Sequence, residues 1–408
     1  MSVSSGRAPG ESGARTSPVV MLGISQMVAW GSSFFLPAIL AVPMARELGL
    51  APSTVFAAFS LSLIVSGVLG PASGRLIDRR GGRGVLIGSN LIFGAALVAM
   101  GLARSPAALF AAWLLMGLAM AGGLLEAAFS TLVELYGREA RRGMTGITLI
   151  TGFTGTLCWP LTTLLDAQFG WRGACFAWAA VHLLIALPLN AWLPRPGPRA
   201  AASAVAQGAE SPAPDQPPPL TRPVLTTALL SFAFMTSYFL STAMASHLPR
   251  LMQSAGMSLA MAVAVGAIVG PAQVSIRLLD LGPLRRVPPL RAARFAALAH
   301  PLGALVLLAG GAPFAPVYAL MYGLGNGILA VSRGSLPLAL FGTQGFGARQ
   351  GLLSMPGKLA QAGAPLLFGL ALDHWGSATL WVSFGVGASG WLALMCLPRP
   401  RTGTIRPD

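Results

Sequence analysis

The chain has 408 residues, of which 54% are hydrophobic and only 10% charged, and its mean hydropathy is +0.69. A water-soluble domain carries about a quarter charged residues, so a soluble globular fold is excluded and lipid must solvate most of the surface. The net charge of +15 would suit nucleic acid, but its distribution, given below, excludes that partner and makes it a topology signal.

A helix of roughly 20 apolar residues crosses a bilayer. Residues 1–17 form a polar tail with no short apolar core and cleavage site, so no cleaved signal peptide is expected and the first span is itself the insertion signal. Spans are then predicted at 18–42, 54–76, 84–104, 106–134, 143–167 and 171–193. Residues 194–223 are rich in Pro and Ala, with Pro217, Pro218 and Pro219 in a row, and read as a flexible linker. A second set follows at 224–249, 257–279, 293–311, 313–341, 351–373 and 377–398, before a tail over 399–408. Backbone groups cannot go unpaired in lipid, which leaves helices or a closed barrel. The spans are too long and too evenly apolar for barrel strands. The expected fold is therefore all-α and integral to the membrane, with six-helix units over 18–193 and 224–398.

Basic residues crowd alternate loops. Arg7 and Arg15 precede the first span, and Arg75, Arg79, Arg80 and Arg83 follow the second. Arg138, Arg141 and Arg142 follow the fourth, and Arg195, Arg199 and Arg222 lie in the linker. Arg277, Arg285, Arg286, Arg291 and Arg294 follow the eighth, and Arg349 and Lys358 are assigned to the tenth loop. Arg399, Arg401 and Arg406 end the chain. Only Arg46, Arg104, Arg172 and Arg250 fall on the other side. By the positive-inside rule both termini are cytoplasmic, and acidic lipid headgroups are secondary partners. Arginine outnumbers lysine so heavily, beside so much alanine, that a GC-rich bacterial genome and an inner-membrane location are expected. Cys158, Cys175 and Cys396 lie in spans as small packing residues, with no disulfide or metal spacing.

The two halves repeat at a shift of about 200–207 residues. Gly70-Pro71-Ala72 recurs as Gly270-Pro271-Ala272, with Arg75 and Asp78 after the first copy and Arg277 and Asp280 after the second. Gly117-Leu118 matches Gly323-Leu324, and Pro160 matches Pro365. Six spans per copy insert both the same way up. Such parallel repeats place substrate near the midplane, between the halves.

The loop after the second span reads Gly74-Arg75-Leu76-Ile77-Asp78-Arg79-Arg80-Gly81-Gly82-Arg83. It resembles the G-x-L-x-D-R-x-G-x-R signature of the major facilitator superfamily, in the place where that family carries it, and the resemblance covers the whole chain in architecture. Gly170-Trp171-Arg172 is also similar to many members. The resemblance implies a conformational latch at Gly74, Arg75, Asp78, Arg79, Gly81 and Arg83. Physically, Gly74 allows close helix approach, Gly81 a tight turn, and Asp78 can hold a neighbouring helix N-terminus or an Arg. The second copy lacks the D-R-x-G continuation, so an asymmetric latch is expected.

In this family the first, fourth, seventh and tenth helices line the cavity. Glu126 in the fourth span and Arg333 in the tenth are read as the two charges well inside spans. Each costs about 2.5–3.5 kcal/mol at a helix centre by insertion scales, so both are expected to face the cavity and each other, with Glu126 as the proton-coupling group. Gln26, Trp30 and Ser33 share one helical face, as do Tyr238 and Thr242, and Asn326 joins Arg333 on the tenth span. These complete the candidate substrate-binding set. Trp113 stands four residues before Gly117, where many exporters carry Arg, and the fifth span lacks a dense glycine–proline pattern; both argue against drug–proton antiport. No cofactor, metal cluster or nucleotide loop is expected. The chain reads as a secondary transporter of a small organic solute, expected to work by alternating access with protons as partner ions and a monomer sufficing. Efflux of amphiphilic compounds and uptake of a small organic acid both fit; a membrane-embedded enzyme is the remote alternative.

Overall fold

The computed structural model describes residues 10–194 and 222–397. The start of the N-terminal tail, residues 195–221 of the expected linker, and the tail over 399–408 lie outside the described residues. Within them the chain is helical. The first half comprises α1 (Gly10–Ser32), α2 (Pro37–Leu48), α3 (Pro52–Arg80), α4 (Gly82–Leu102), α5 (Pro106–Gly123), α6 (Leu125–Tyr136), α7 (Ala140–Thr151), α8 (Thr154–Val181) and α9 (Leu187–Ala191). The second half comprises α10 (Pro223–Ser254), α11 (Leu259–Leu281), α12 (Pro289–Gly310), α13 (Ala315–Phe341), α14 (Phe346–Trp375) and α15 (Thr379–Met395).

Proline opens α2, α3, α5, α10 and α12, where its missing N–H costs nothing. Among the described residues nine helical runs are long and apolar enough to cross a membrane. One of them, Pro106–Ala191, is 86 residues long and reverses at Gly137 and Gly170, both at positive φ; another, Phe346–Met395, is 50 residues long and reverses at Gly376. Arg-rich turns gather at one end of the bundle, called the basic end below; Arg46, Arg104, Arg172 and Arg250 mark the far end.

Three spans expected as single helices are broken, all in the first half. The first breaks at 33–36, the fourth at Leu124 (φ −92°, ψ −173°) and the fifth at 152–153. The fourth breaks after Gly122-Gly123, where two glycines give helix continuation its weakest support. The repeat-related α10, α13 and α14 run through unbroken.

The halves meet chiefly along α3 and α14. Near the far end the Ser60 hydroxyl donates to the Ala362 carbonyl at 3.3 Å. Toward the basic end, Gly70 and Gly74 face Gly351 and Gly347 in two antiparallel small-xxx-small pairs. A Cβ on Gly74 would fall into the Gly347 carbonyl, and one on Gly351 into that of Gly70. The helices touch backbone to backbone, the contact that dispersion rewards in lipid.

Candidate functional site: a buried charge cluster between the halves

The break at Leu124 makes Glu126 a first-turn residue of α6, beside the interface between the halves. Its Oε1 accepts the Tyr238 hydroxyl at 2.7 Å, and its Oε2 lies 3.3 Å from Lys358 Nζ. Lys358 is 5% exposed and also donates to the Ser66 hydroxyl of α3 at 3.2 Å. One ammonium on α14 therefore binds two helices of the other half. Lys358 is thus not a residue of the tenth loop. It sits three turns inside α14, and the tally of two charges within spans was one short.

Arg333 does not pair with Glu126. Its guanidinium stacks over the Tyr238 ring at 3.8 Å and donates to the Ser237 hydroxyl at 3.1 Å. Tyr238 stands between the two charges, hydroxyl on the carboxylate and ring face under the cation. Gly357 makes this possible, because a Cβ there would strike the Tyr238 ring. Two cations and one carboxylate leave the cluster one positive charge in excess.

The other expected lining residues divide. Gln26 is fully buried and donates to the Gly123 carbonyl at 2.8 Å, bridging the helix break, while its Oε1 has no partner. Trp30 Nε1, Thr242 Oγ1, Arg333 Nε, Gln350 Oε1 and Ser354 Oγ are also buried without partners. Orphaned buried polar atoms are uncommon and need an explanation such as water or ligand. These six stand on α1, α10, α13 and α14, and further orphans, Trp113 Nε1, Asn190 Oδ1, His300 Nδ1 and Thr379 Oγ1 among them, stand elsewhere in the bundle. Ser33 is different. It lies in the turn after α1, and its hydroxyl is spent on the Ala29 carbonyl at 2.5 Å. Asn326 is half-buried on α13, two turns from Arg333. Ser66, Gln350 and Lys358 were missed by the sequence reading. The one usable signal was Lys358 itself, a lone lysine in a chain that otherwise spends only arginine.

Two seams close the basic end. In the first, the Asp78 carboxylate accepts the N–H groups of Gly347 and Ala348, both at 2.8 Å, so an anion sits on the N-terminus of α14. Gly81 turns at φ +84°, and the Gly82 N–H donates to Glu134 at 2.7 Å. Arg83 donates to the Ala191 carbonyl, while Arg75 and Arg79 are exposed. In the second seam, Asp280 is buried and accepts from Arg141 and Thr145 of α7, each at 2.9 Å. Arg277, also buried, donates to the Thr148 carbonyl at 2.8 Å. The copy expected to be degraded engages the opposite half too. It does so by side-chain bridges rather than by backbone contact.

A sequence model of the Major Facilitator Superfamily matches residues 22–343. Over 159 residues the chain is 30% identical to the 4-hydroxybenzoate transporter PcaK of Pseudomonas putida, covering 38% of this chain and 35% of that protein. Over 152 residues it is 32% identical to an uncharacterized 38 kDa protein from a 23S RNA operon of Thermoproteus tenax, covering 37% and 40%. The chain thus spans well under half the length of these curated relatives. Its fold is similar to the human organic anion transporter MFSD10, with TM-score 0.68 and 18% identity over 95% of this chain and 100% of the other. It is similar to the proton:xylose symporter XylE, with TM-score 0.72 and 12% identity over 95% and 96%. The E. coli fucose:proton symporter FucP gives TM-score 0.69 and 13% identity over 94% and 98%.

Proposed function

The chain belongs to the Major Facilitator Superfamily and is a multi-pass membrane transporter, not an enzyme; from that premise we propose that it moves a small organic anion together with protons across a bacterial inner membrane. The carrying observation is the buried cluster between the halves, with Lys358 and Arg333 set against the single carboxylate of Glu126. Its surplus positive charge suits a substrate carboxylate. The similarity to a 4-hydroxybenzoate transporter, and the fold shared with an organic anion transporter, point to the same class. In the proposed orientation the basic end and both termini face the cytoplasm, and one chain is the transporting unit.

The mechanism follows from what Lys358 joins. With Glu126 ionised, Lys358 is held by Glu126 and Ser66, and the halves are tied across α14, α3 and α6. Protonation of Glu126 removes the charge that holds the ammonium. Lys358 and Arg333 then turn to the substrate anion, and the halves part at the basic end. Proton and anion are both required, since an unpaired cation buried at the interface is costly. Asp78 on the α14 N-terminus, with Gly74, Gly81, Arg75, Arg79 and Arg83 around it, acts as the latch that favours the closed basic end.

Purified protein in liposomes tests this with radiolabelled 4-hydroxybenzoate and an imposed pH gradient. Wild type is expected to accumulate the label only with the gradient. Glu126→Gln should keep exchange of internal for external 4-hydroxybenzoate yet lose accumulation. Undiminished accumulation by the variant would remove Glu126 from the coupling step.

A further inference from the structure

Arg277 is a buried cation between the halves that the central cluster does not account for. It is 5% exposed. Its Nη1 donates to the Thr148 carbonyl of α7 at 2.8 Å, its Nη2 to the Gln273 side-chain oxygen at 3.2 Å and its Nε to the Gly327 carbonyl at 3.4 Å. All of these acceptors are neutral. The nearest carboxylate along α11, that of Asp280, is taken by Arg141 and Thr145 of α7. The charge within electrostatic reach of Arg277 is a like one, Arg333. Arg333 is itself held by the Ser237 hydroxyl and the Tyr238 ring face, with its Nε buried and unpartnered. Among the described residues neither guanidinium has a carboxylate at ion-pair distance.

Lys358, Arg333 and Arg277 thus set three positive charges against the one carboxylate of Glu126, an excess of two. A buried cation without a counter-charge is costly, and a like charge beside it adds to the cost. Ionisable residues kept inside a membrane in this way mark substrate or ion pathways. The cations are strung out rather than clustered. Lys358 meets Glu126, the Tyr238 phenol stands between that carboxylate and Arg333, and Arg277 approaches Arg333 from α11.

Resting on the anionic substrate proposed above, we infer that the transported solute is a dianion, a dicarboxylate, and that Arg277 receives its second carboxylate. Lys358 takes the first once Glu126 is protonated, and Arg333 with Arg277 takes the second. The Arg277 fork has N–H groups to spare beyond its present acceptors. In either protonation state of Glu126 a dianion leaves one fewer buried cation unmatched than a monoanion does. Arg277 also ties binding to opening. With the basic end closed it is spent on Thr148 of the other half. A carboxylate is a stronger acceptor for a guanidinium than a neutral carbonyl. The second acid group therefore draws Arg277 off α7 and loosens that seam. A monoanion lacks the group that would do so, and a ligand shifts such an equilibrium only by its differential affinity for the two states.

Titration calorimetry on the purified full chain tests this. Terephthalate, whose carboxylates stand one ring apart, is compared with its monomethyl ester and with 4-hydroxybenzoate. The linear dicarboxylates of two to six carbons are each compared with the monocarboxylate of the same length. The expected result is that at least one dicarboxylate binds wild type about tenfold or more tightly than its monoanionic counterpart, as a charge-assisted contact provides. That advantage should vanish in Arg277→Gln and be partly kept in Arg277→Lys. A residue that only holds the seam would change both affinities together and leave their ratio unaltered, which overturns the inference. Lack of any dianion preference in wild type overturns it too. If 4-hydroxybenzoate still binds in that case, the anion reading stands alone; if no anion binds, both fail. Should Arg277→Gln not purify as a single species, wild type is treated with phenylglyoxal and mapped by mass spectrometry. Terephthalate should shield Arg277 and its monomethyl ester should not; equal shielding overturns the inference.

Discussion

Glu126 and Lys358 form a buried pair that joins the halves, and in the proposed mechanism protonation of the carboxylate releases it. Removing one partner of a buried ion pair strands the other, at a cost of about 3–5 kcal/mol. Lys358→Met is therefore expected to lower the melting temperature in detergent sharply, whereas Glu126→Gln/Lys358→Met, which strands nothing, should recover most of it. Equal melting of the single and double variants would mean that the pair is not coupled. Tyr238→Phe removes a hydrogen bond to a charged group, worth about 1.5–3 kcal/mol, and leaves the ring under Arg333 intact. It should shift the pH dependence of 4-hydroxybenzoate transport while substrate exchange continues, and an unchanged pH profile would count against its role. Glu126, Arg333 and Tyr238 were all legible as intramembrane polar residues on cavity-lining spans. Their pairing was not. Repeat symmetry suggested Glu126 opposite Arg333, but which charges meet depends on helix rotation and on the glycine that admits the Tyr238 ring. Lys358 was hidden by proximity to the basic flank: it follows Arg349 closely in sequence, yet the intervening turns of α14 carry it into the apolar interior.

At the scale of the element, the instructive features are a broken helix and a glycine seam. The fourth span is apolar from end to end, and hydropathy is blind to a break inside it. What makes the break tolerable is Gln26, whose amide donates to the Gly123 carbonyl. Gln26→Leu would leave that carbonyl short of a donor in a buried setting, a loss of about 1–3 kcal/mol, and hydrogen exchange should quicken first across 122–128 rather than across α5 as a whole. The glycines at 70, 74, 347 and 351 were each visible, and Gly74 was read as a point of close approach. Their opposition across the halves required the packed α3–α14 pair. Gly351→Val places side-chain atoms where the Gly70 backbone now lies. It should pry the basic end open, seen as raised labelling of a Ser73→Cys thiol by a membrane-impermeant maleimide; no rise would mean that the seam does not set closure.

Across the whole molecule, the basic end is held by two seams of different chemistry, one of backbone contact capped by Asp78 and one of bridges from Arg277 and Asp280 to α7. Because they lie on opposite flanks and share no residue, their contributions should add. Asp78→Asn and Asp280→Asn are each expected to raise labelling of Ser73→Cys, and the double variant by about the product of the two factors. A double variant no more reactive than the stronger single one would show that only one seam holds the closed form. The sequence motif led to an expectation of a strong first latch and a degraded second. The second is instead the more deeply buried, because Arg277 and Asp280 need no D-R-x-G turn when α7 presents its own Arg141, Thr145 and the Thr148 carbonyl.

The amino-acid sequence determined the class of molecule, its division into two six-span units and its signature loop. These follow from quantities local to the chain: apolar length against bilayer thickness, the parity of basic flanks, and residues repeated at fixed spacing. The tertiary structure decided which charges pair, where spans break and where the halves touch backbone to backbone. Those outcomes depend on the rotation and approach of helices far apart in sequence, set by whether a glycine or a side chain stands at the point of contact.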